Sequence, residues 1–294
     1  MSLGKTIRFI WDHPLTQKDR VRALVGFVRW QIGSRLVPGP VVAPFVDDTV
    51  LVVAPGMSGA TGNVYVGLHE VAEMGFVLHW LRPGDRFADV GANVGSYTVL
   101  AAGAAGADVV AFEPVPATHR RLLRNVAING LEGKVDARLA GVGAAPERLR
   151  FTADRDTTNR ALADGEAATG ATVDVDIVTL DQALADAPPA LIKIDVEGFE
   201  DRVLAGAAGI LADPRVQALV VELAPDRGYN PATLVESLTS FGFQPVRYAA
   251  VERRLEPTDP ALSRWGNLIL VKDLEAARDR VRSAPRHRVL AGTL

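Results

Sequence analysis

The sequence predicts an α/β fold, a mostly parallel central sheet flanked by helices, with an N-terminal helical and hairpin extension. Three observations carry that prediction. Phe87-Ala-Asp-Val-Gly-Ala-Asn-Val-Gly95 is a short apolar run that ends in an acid, then a glycine-spaced turn, then a helical run from Ser96. Glycines at such a turn let the backbone bend tightly and come close to a ligand. Apolar runs ending in acids recur at Val109-Val-Ala-Phe-Glu-Pro114 and at Ala190-Leu-Ile-Lys-Ile-Asp-Val-Glu-Gly198. Strand-like and helix-like stretches alternate from residue 87 onward, which implies right-handed crossovers and parallel strands.

In chain order, residues 1 to 36 read as two helices separated at His13-Pro14, because the residue before a proline is driven out of helical geometry. The second has an apolar face of Leu24, Phe27, Val28, Ile32 and Leu36. Val37-Pro-Gly-Pro40 is a linker, and residues 41–55 read as two short strands around a turn at Asp47-Asp48. Residues 56–67 are rich in glycine and read as a loop. Leu68 to Leu81 has helical apolar spacing and stops at Pro83-Gly84. Strands are then expected at 87–90, 108–112, 134–140, 172–178, 191–194, 218–223, 243–247 and 267–271. Helices fall at 96–105, 116–129, from a cap at Thr179, at 200–211 and at 231–241. Residues 143–170 are polar and read as irregular, and 274–286 as a charged helix or a frayed tail. The expected organisation is an extension over 1–64, the sheet domain over 65–272 and a charged tail over 273–294.

Composition narrows the function. The chain has 294 residues, 48% hydrophobic and 23% charged, as an ordinary globular protein does. A net charge of −3 gives no general basic field, so no nucleic-acid partner is expected. The absence of cysteine rules out disulfides and thiolate zinc sites and is compatible with a cytoplasmic location. Asp12, His13 and Pro14 interrupt any leader pattern, and no window approaches the ~18–20 apolar residues of a membrane span. Trp11, Trp30 and several arginines in the first forty residues raise a membrane-surface amphipath. The aspartates and short apolar face count against it and favour packing on the sheet domain or against a second subunit, as in a homodimer.

The acids discriminate between cofactors. Dinucleotide enzymes use Gly-x-Gly-x-x-Gly with an acid some ~20 residues later. Here Gly91, Asn93 and Gly95 set the turn, and Asp89 stands two residues before the first glycine. A pyrophosphate would be repelled there, whereas a sulfonium with an ammonium group would be welcome. The reading favours S-adenosylmethionine, with Asp89, Gly91, Asn93 and Gly95 as cofactor-binding residues. Glu113, at the end of the next strand, is suited to accept both ribose hydroxyls. An NAD-dependent oxidoreductase and a non-catalytic binding module are the rival readings.

Phe87 to Thr98, Ala111-Phe-Glu-Pro114, Asn125-Val-Ala-Ile-Asn129 and Ile192-Lys-Ile-Asp-Val-Glu-Gly-Phe-Glu200, with Glu222-Leu223 after Val220-Val221, together resemble the FkbM family of S-adenosylmethionine-dependent methyltransferases. The resemblance covers roughly residues 65 to 272. It implies the Rossmann-like class I methyltransferase fold, a parallel sheet with one reversed edge strand. It also implies methyl transfer to oxygen, less often nitrogen, on a small natural product or sugar. Similar proteins carry a polar residue after the third strand. Here Ala140-Gly-Val-Gly143 has none, which leaves adenine recognition to backbone groups.

An alkyl hydroxyl is a weak nucleophile, so methyl transfer to it calls for a base or a divalent metal. Asp195 ends the strand at 191–194 and Glu222 ends the strand at 218–223, so both are expected at the carboxyl edge as catalytic residues. With Glu197 they offer hard oxygen ligands, and Asp195 and Glu222 are also the expected ligands if Mg²⁺ takes part. Lys193 lies inside its strand, either reaching out of the sheet or paired with an acid. Tyr65, His69 and Glu70 precede the sheet domain and read as a lid, with Glu70 meeting the methionine ammonium and His69 able to act as a base. Residues 156–160, in the longest irregular stretch, are expected to touch the small hydroxylated acceptor.

Overall fold

The computed structural model describes residues 3–36, 39–54, 57–152, 160–162, 170–224, 227–260, 266–290 and 292–294. Helices α1 (Leu3–Asp12) and α2 (Arg20–Leu36) flank a single 3₁₀ turn at Pro14–Thr16. The proline supplies the fixed φ of that turn, and the Thr16 hydroxyl donates to the carbonyls of Ile10 and His13. An antiparallel hairpin follows, β1 (Val41–Pro44) and β2 (Val50–Val53). Next come α3 (Ser58–Val66), α4 (Val71–Trp80), β3 (Arg86–Val90) and α5 (Ser96–Val99), which widens into a π-helical turn at Leu100–Ala104.

The chain continues through β4 (Asp108–Phe112), α6 (Pro116–Ile128), β5 (Val135–Arg138), β6 (Gly141–Val142), β7 (Glu147–Thr152), β8 (Thr172–Val178) and α7 (Leu180–Leu184). After these lie β9 (Leu191–Ile194), α8 (Glu200–Ala205), α9 (Ala208–Ala212), β10 (Ala218–Glu222) and α10 (Pro231–Ser240). The last elements are β11 (Gln244–Ala249), β12 (Arg254–Pro257), β13 (Asn267–Val271), α11 (Leu274–Arg282), β14 (Arg288–Val289) and β15 (Gly292–Thr293). Among the described residues no helix is long and apolar enough to cross a membrane.

The central sheet has the order β12-β11-β13-β10-β9-β3-β4-β5. From β3 the chain builds outward through β4 and β5, then returns to the other side of β3 at β9. The carboxyl ends of β3 and β9 are therefore a topological switch point, where open α/β sheets hold their ligands. Strand β13 runs against both neighbours, and β12 runs against β11. The sheet thus has two reversed strands, one internal and one at the edge, rather than the single reversed edge strand expected.

Both faces of the sheet are buried. One core gathers Phe76, Phe87, Leu100 and Leu122 with Leu51 of the hairpin, and the other gathers Val90, Ile192, Leu219 and Phe243. Fully covered parallel strands explain the near-continuous apolar runs in the sequence. Two asparagines of α6 fasten the hairpin. Asn125 accepts from Val52 N (2.7 Å), while Asn129 accepts from Val50 N and donates to Val50 O (both 2.8 Å). Their amides imitate a neighbouring strand and satisfy one edge of β2.

Three local expectations need correction, and one strand was not expected. Residues 58–66 are helical, not a loop: Ala60, Asn63 and Val66 are buried, and packing overrides the low propensity of the glycines. Residues 147–152 form β7, which pairs with β8 in a separate three-stranded sheet, so β8 is outside the central one. The helix expected over 200–211 breaks into α8 and α9 at Gly206, where a Cβ would lie 2.1 Å from Gly143 O. Strand β12 escaped notice because only Leu255 points inward; Arg254 and Glu256 give it the charged edge that discourages further pairing.

Candidate active site

The site is a cavity of about 270 Å³ at the switch point, near the lower end of the ~300–1,000 Å³ usual for small-molecule sites. Its first wall is the turn after β3. The N–H groups of Gly91 and Ala92 both donate to Phe112 O (3.0 and 2.9 Å). Gly91 has φ +81°, and a Cβ there would lie 1.9 Å from the Asp195 carbonyl oxygen. Asn93 takes the left-handed conformation at φ +52°, which asparagine tolerates better than most residues. Its side-chain oxygen accepts from Val94 N (2.7 Å) and its N–H donates to Glu113 Oε2 (3.0 Å). Gly95, at φ +90°, does not line the cavity; it caps α5, and a Cβ would meet Leu122 at 2.5 Å. Asn125 closes the turn from behind by donating to Val94 O (2.7 Å).

Glu113 lies at the carboxyl end of β4 and lines the cavity. Its second oxygen accepts from Val115 N (2.9 Å), so two backbone donors fix the carboxylate. Each oxygen keeps a further acceptor position. Burial pushes its pKa up to about 7 against those two donors, with the nearby Asp89 adding to the rise.

Asp89 departs from the expectation of direct cofactor contact. It is fully buried in β3, outside the cavity lining, and its Oδ2 accepts from the Thr98 hydroxyl (2.7 Å). Its Oδ1 has no hydrogen-bond partner among the described residues. Burial raises its pKa, opposed by the charge of Lys193, its partner in register on β9.

Carboxylates at the carboxyl ends of β9 and β10 also line the cavity. Oxygens of Asp195, Glu197 and Glu222 lie within 4.8 Å of one another. Two cations balance them. Lys193 Nζ is 2.9 Å from Asp195 Oδ2 and 4.7 Å from the Tyr97 ring centroid. Arg227 pairs with Glu197 and stands 3.6 Å from Glu222 Oε2. Burial pulls the Lys193 pKa down, but Asp195, Asp89 and Glu70 outweigh it and hold the ammonium firmly charged. For Asp195, burial is outweighed by Lys193 and the carboxyl stays below its ordinary range. Burial, then the charges of Asp195 and Glu197, raise Glu222 to about 8. The pair is thus divided into one ionised and one protonated member, the arrangement close carboxylates adopt. Glu197 sits at φ +54° before Gly198 at φ +92°, and Glu200 caps this turn by accepting from the N–H groups of Val196 and Gly198.

The lid expected over Tyr65 to Glu70 splits. His69 and Glu70 line the cavity, whereas Tyr65 faces Phe27 with ring centroids 5.1 Å apart. Glu70 accepts from the Tyr97 hydroxyl and from Asn267 Nδ2, both at 2.7 Å. Residues 156–159 lie outside the described residues. Sequence reasoning missed Tyr97, Asn267, Arg227 and Phe151, the last lining the cavity from β7. Tyr97 was legible in principle, being the second residue after the glycine turn. The absence of polar groups at Gly141 and Gly143 has a steric cause, since Cβ atoms there would meet Ile177 at 2.6 and 2.8 Å.

A glycine turn at a switch point, with an acid at the end of the adjacent strand, is the architecture of α/β enzymes that bind nucleoside cofactors. Residues 89–245, more than half of the chain, match the Methyltransferase FkbM domain, and the chain belongs to this family of methyltransferases. It is 31% identical over 175 residues, 49% of its length, to 31-O-demethyl-FK506 methyltransferase FkbM of Streptomyces tacrolimicus. It is 28% identical over 136 residues, 45% of its length, to the ribosomal protein L11 methyltransferase of Syntrophomonas wolfei. The chain spans 66% of the first relative and 42% of the second, under two thirds of each. The crystal structure of Methyltransferase FkbM from Methylobacillus flagellatus is 18% identical, with a TM-score of 0.44, over 64% of this chain and 43% of that one. Family membership sets aside the oxidoreductase reading.

Proposed function

We propose that this methyltransferase transfers a methyl group from S-adenosylmethionine to a hydroxyl oxygen of a small natural product or sugar. The observation that carries the reading is that Glu113, the Gly91–Val94 turn and the Asp195–Glu222 pair line one cavity. The lining suits the donor. Glu70, Glu113, Asp195, Glu197 and Glu222 border the cavity, and Lys193 and Arg227 offset only part of their charge, so the field favours a cofactor with cationic groups over one with a pyrophosphate. When bound, S-adenosylmethionine supplies an electrophilic methyl group.

In this reading Glu113 is the ribose ligand, held by its two backbone donors. Glu70, fixed by Tyr97 and Asn267, is the partner of the ammonium. Asp89 acts from behind, keeping Lys193 charged and α5 seated through Thr98. The acceptor hydroxyl gives its proton to the Asp195–Glu222 pair. Glu222 is the better final holder, because a group with a pKa near the working pH is the more effective base. Lys193 keeps Asp195 ionised so that it can orient the hydroxyl by accepting its hydrogen bond.

The trio supplies enough oxygen ligands for Mg²⁺, but Lys193 and Arg227 already neutralise it. A divalent ion would be driven against both cations, and no metal step is included. The test is transfer of labelled methyl from S-adenosylmethionine across a panel of hydroxylated acceptors, with and without EDTA, and the product's linkage read by NMR. An O-methyl product formed at an undiminished rate in EDTA supports the account. An N- or C-methyl product, or an EDTA loss that Mg²⁺ restores, contradicts it.

A further inference from the structure

The N-terminal helices have two apolar sides, and among the described residues only one is covered. Inward, Phe27 of α2 is buried with Ile10 of α1 and Val66, which seats the pair on the domain. Outward, Val21, Val25, Val28, Ile32 and Leu36 are 69, 51, 51, 55 and 75% exposed. At 100° per residue these five positions fall on one stripe along the whole of α2. The same geometry puts Arg22 and Arg29 along one border of the stripe and Arg35 along the other, all exposed. On α1, Leu3, Ile7 and Trp11 are likewise exposed at four-residue spacing, and Arg20 lies over the Trp11 ring at 5.0 Å.

Charge identifies what covers this face. Residues 3–36 hold five arginines and two lysines against two aspartates, a net +5. The whole chain is −3, so the remainder carries −8. The two aspartates do not break the basic surface: Asp19 caps α2 by accepting from Arg22 N (3.0 Å), and Asp12 pairs with Arg8 (3.4 Å). A second copy would bring +5 against +5, which opposes self-association through this face. An apolar stripe bordered by arginines matches the interface of an anionic lipid bilayer, where the apolar residues enter the acyl boundary and the guanidinium groups meet the headgroups.

We propose that α1 and α2 dock this protein on the surface of an anionic membrane. Phe9 of α1 stands 5.1 Å from the ring of His69, which lines the active-site cavity. The docking helices are thus packed directly against a residue of the cavity lining. The inference rests on the surface alone and is independent of the acceptor assigned above.

The experiment is co-sedimentation of the full chain with vesicles of phosphatidylcholine, alone or with phosphatidylglycerol added. The expected result is at least about tenfold stronger partitioning onto the anionic vesicles, lost at high salt. The double variant Val25→Glu/Ile32→Glu, altered at solvent-exposed positions away from the cavity, should fall to the level of neutral vesicles with an unchanged thermal midpoint. Equal partitioning onto both vesicle types, no partitioning, or a variant that binds as well as the parent would overturn the proposal. So would light scattering that shows a dimer in the absence of vesicles and a monomer for the variant, since the face would then be a self-interface.

Discussion

A Cβ on Gly91 would lie 1.9 Å from the carbonyl oxygen of Asp195. The glycine that opens the turn after β3 and the residue that follows β9 are therefore packed backbone to backbone, at the ends of neighbouring strands. Any side chain at 91 pushes the two walls of the cavity apart. Gly91→Ala should combine left-handed strain of about 1–3 kcal/mol with that clash. A thermal midpoint lower by at least about 4 °C and loss of S-adenosylhomocysteine binding in calorimetry are expected. A variant that melts and binds like the parent would mean that the strand ends can separate freely.

The division of charge between Asp195 and Glu222 predicts a pH–rate profile. If Glu222 takes the proton as proposed it must be ionised, so turnover should rise with pH through about 8, the value set by burial and by Asp195 and Glu197. Asp195→Asn should lower turnover by about 10²-fold or more. It also removes a charge that raises Glu222, so the rising limb of the residual activity should move to lower pH. Glu222→Gln should abolish the limb. A limb that stays in place in both variants would assign it to another group.

Linkage gives a separate expectation for stability without ligand. Burial raises Glu73 and Glu113 to about 7, and Glu222 to about 8. These groups hold protons in the folded state that the unfolded chain, with ordinary carboxyl values near ~4.3, has already released. Their contribution falls as pH rises towards the folded values. Buried His13 and His79, lowered to about 4 and about 3, act oppositely, but only below the ordinary histidine value of 6.5. Between pH 6.5 and about 8.5 the carboxyls act alone, and the thermal midpoint should fall. A midpoint that climbs over that interval would show that these acids are ionised in the fold.

Much of this was legible because strand ends advertise themselves. Fully covered strands leave apolar runs, and the acids that close them, Glu113, Asp195 and Glu222, face one cavity as expected. Asp89, which precedes the turn by one pleat, is instead fully buried, pairs with Thr98 and lies outside the cavity lining. Segments whose structure depends on distant partners were the least legible. Strand β7 exists through its pairing with β8, α3 through burial of Ala60 and Val66, and Tyr97, Asn267 and Glu70 meet from three separate elements. The exposed stripe on α2 was hidden by the second apolar face beside it, since Phe27 and Val28 look alike in sequence but one is buried and the other exposed.

The central claim is that the cavity holds S-adenosylmethionine through Glu113. Its most direct test is calorimetric titration of S-adenosylhomocysteine into the parent protein and into Glu113→Ala, with folding of the variant checked by circular dichroism. Each charge-assisted hydrogen bond is worth about 1.5–3 kcal/mol, and about 1.4 kcal/mol is tenfold in affinity. The account predicts binding to the parent and an affinity at least tenfold weaker in the variant. A folded Glu113→Ala protein that binds as tightly as the parent would contradict it.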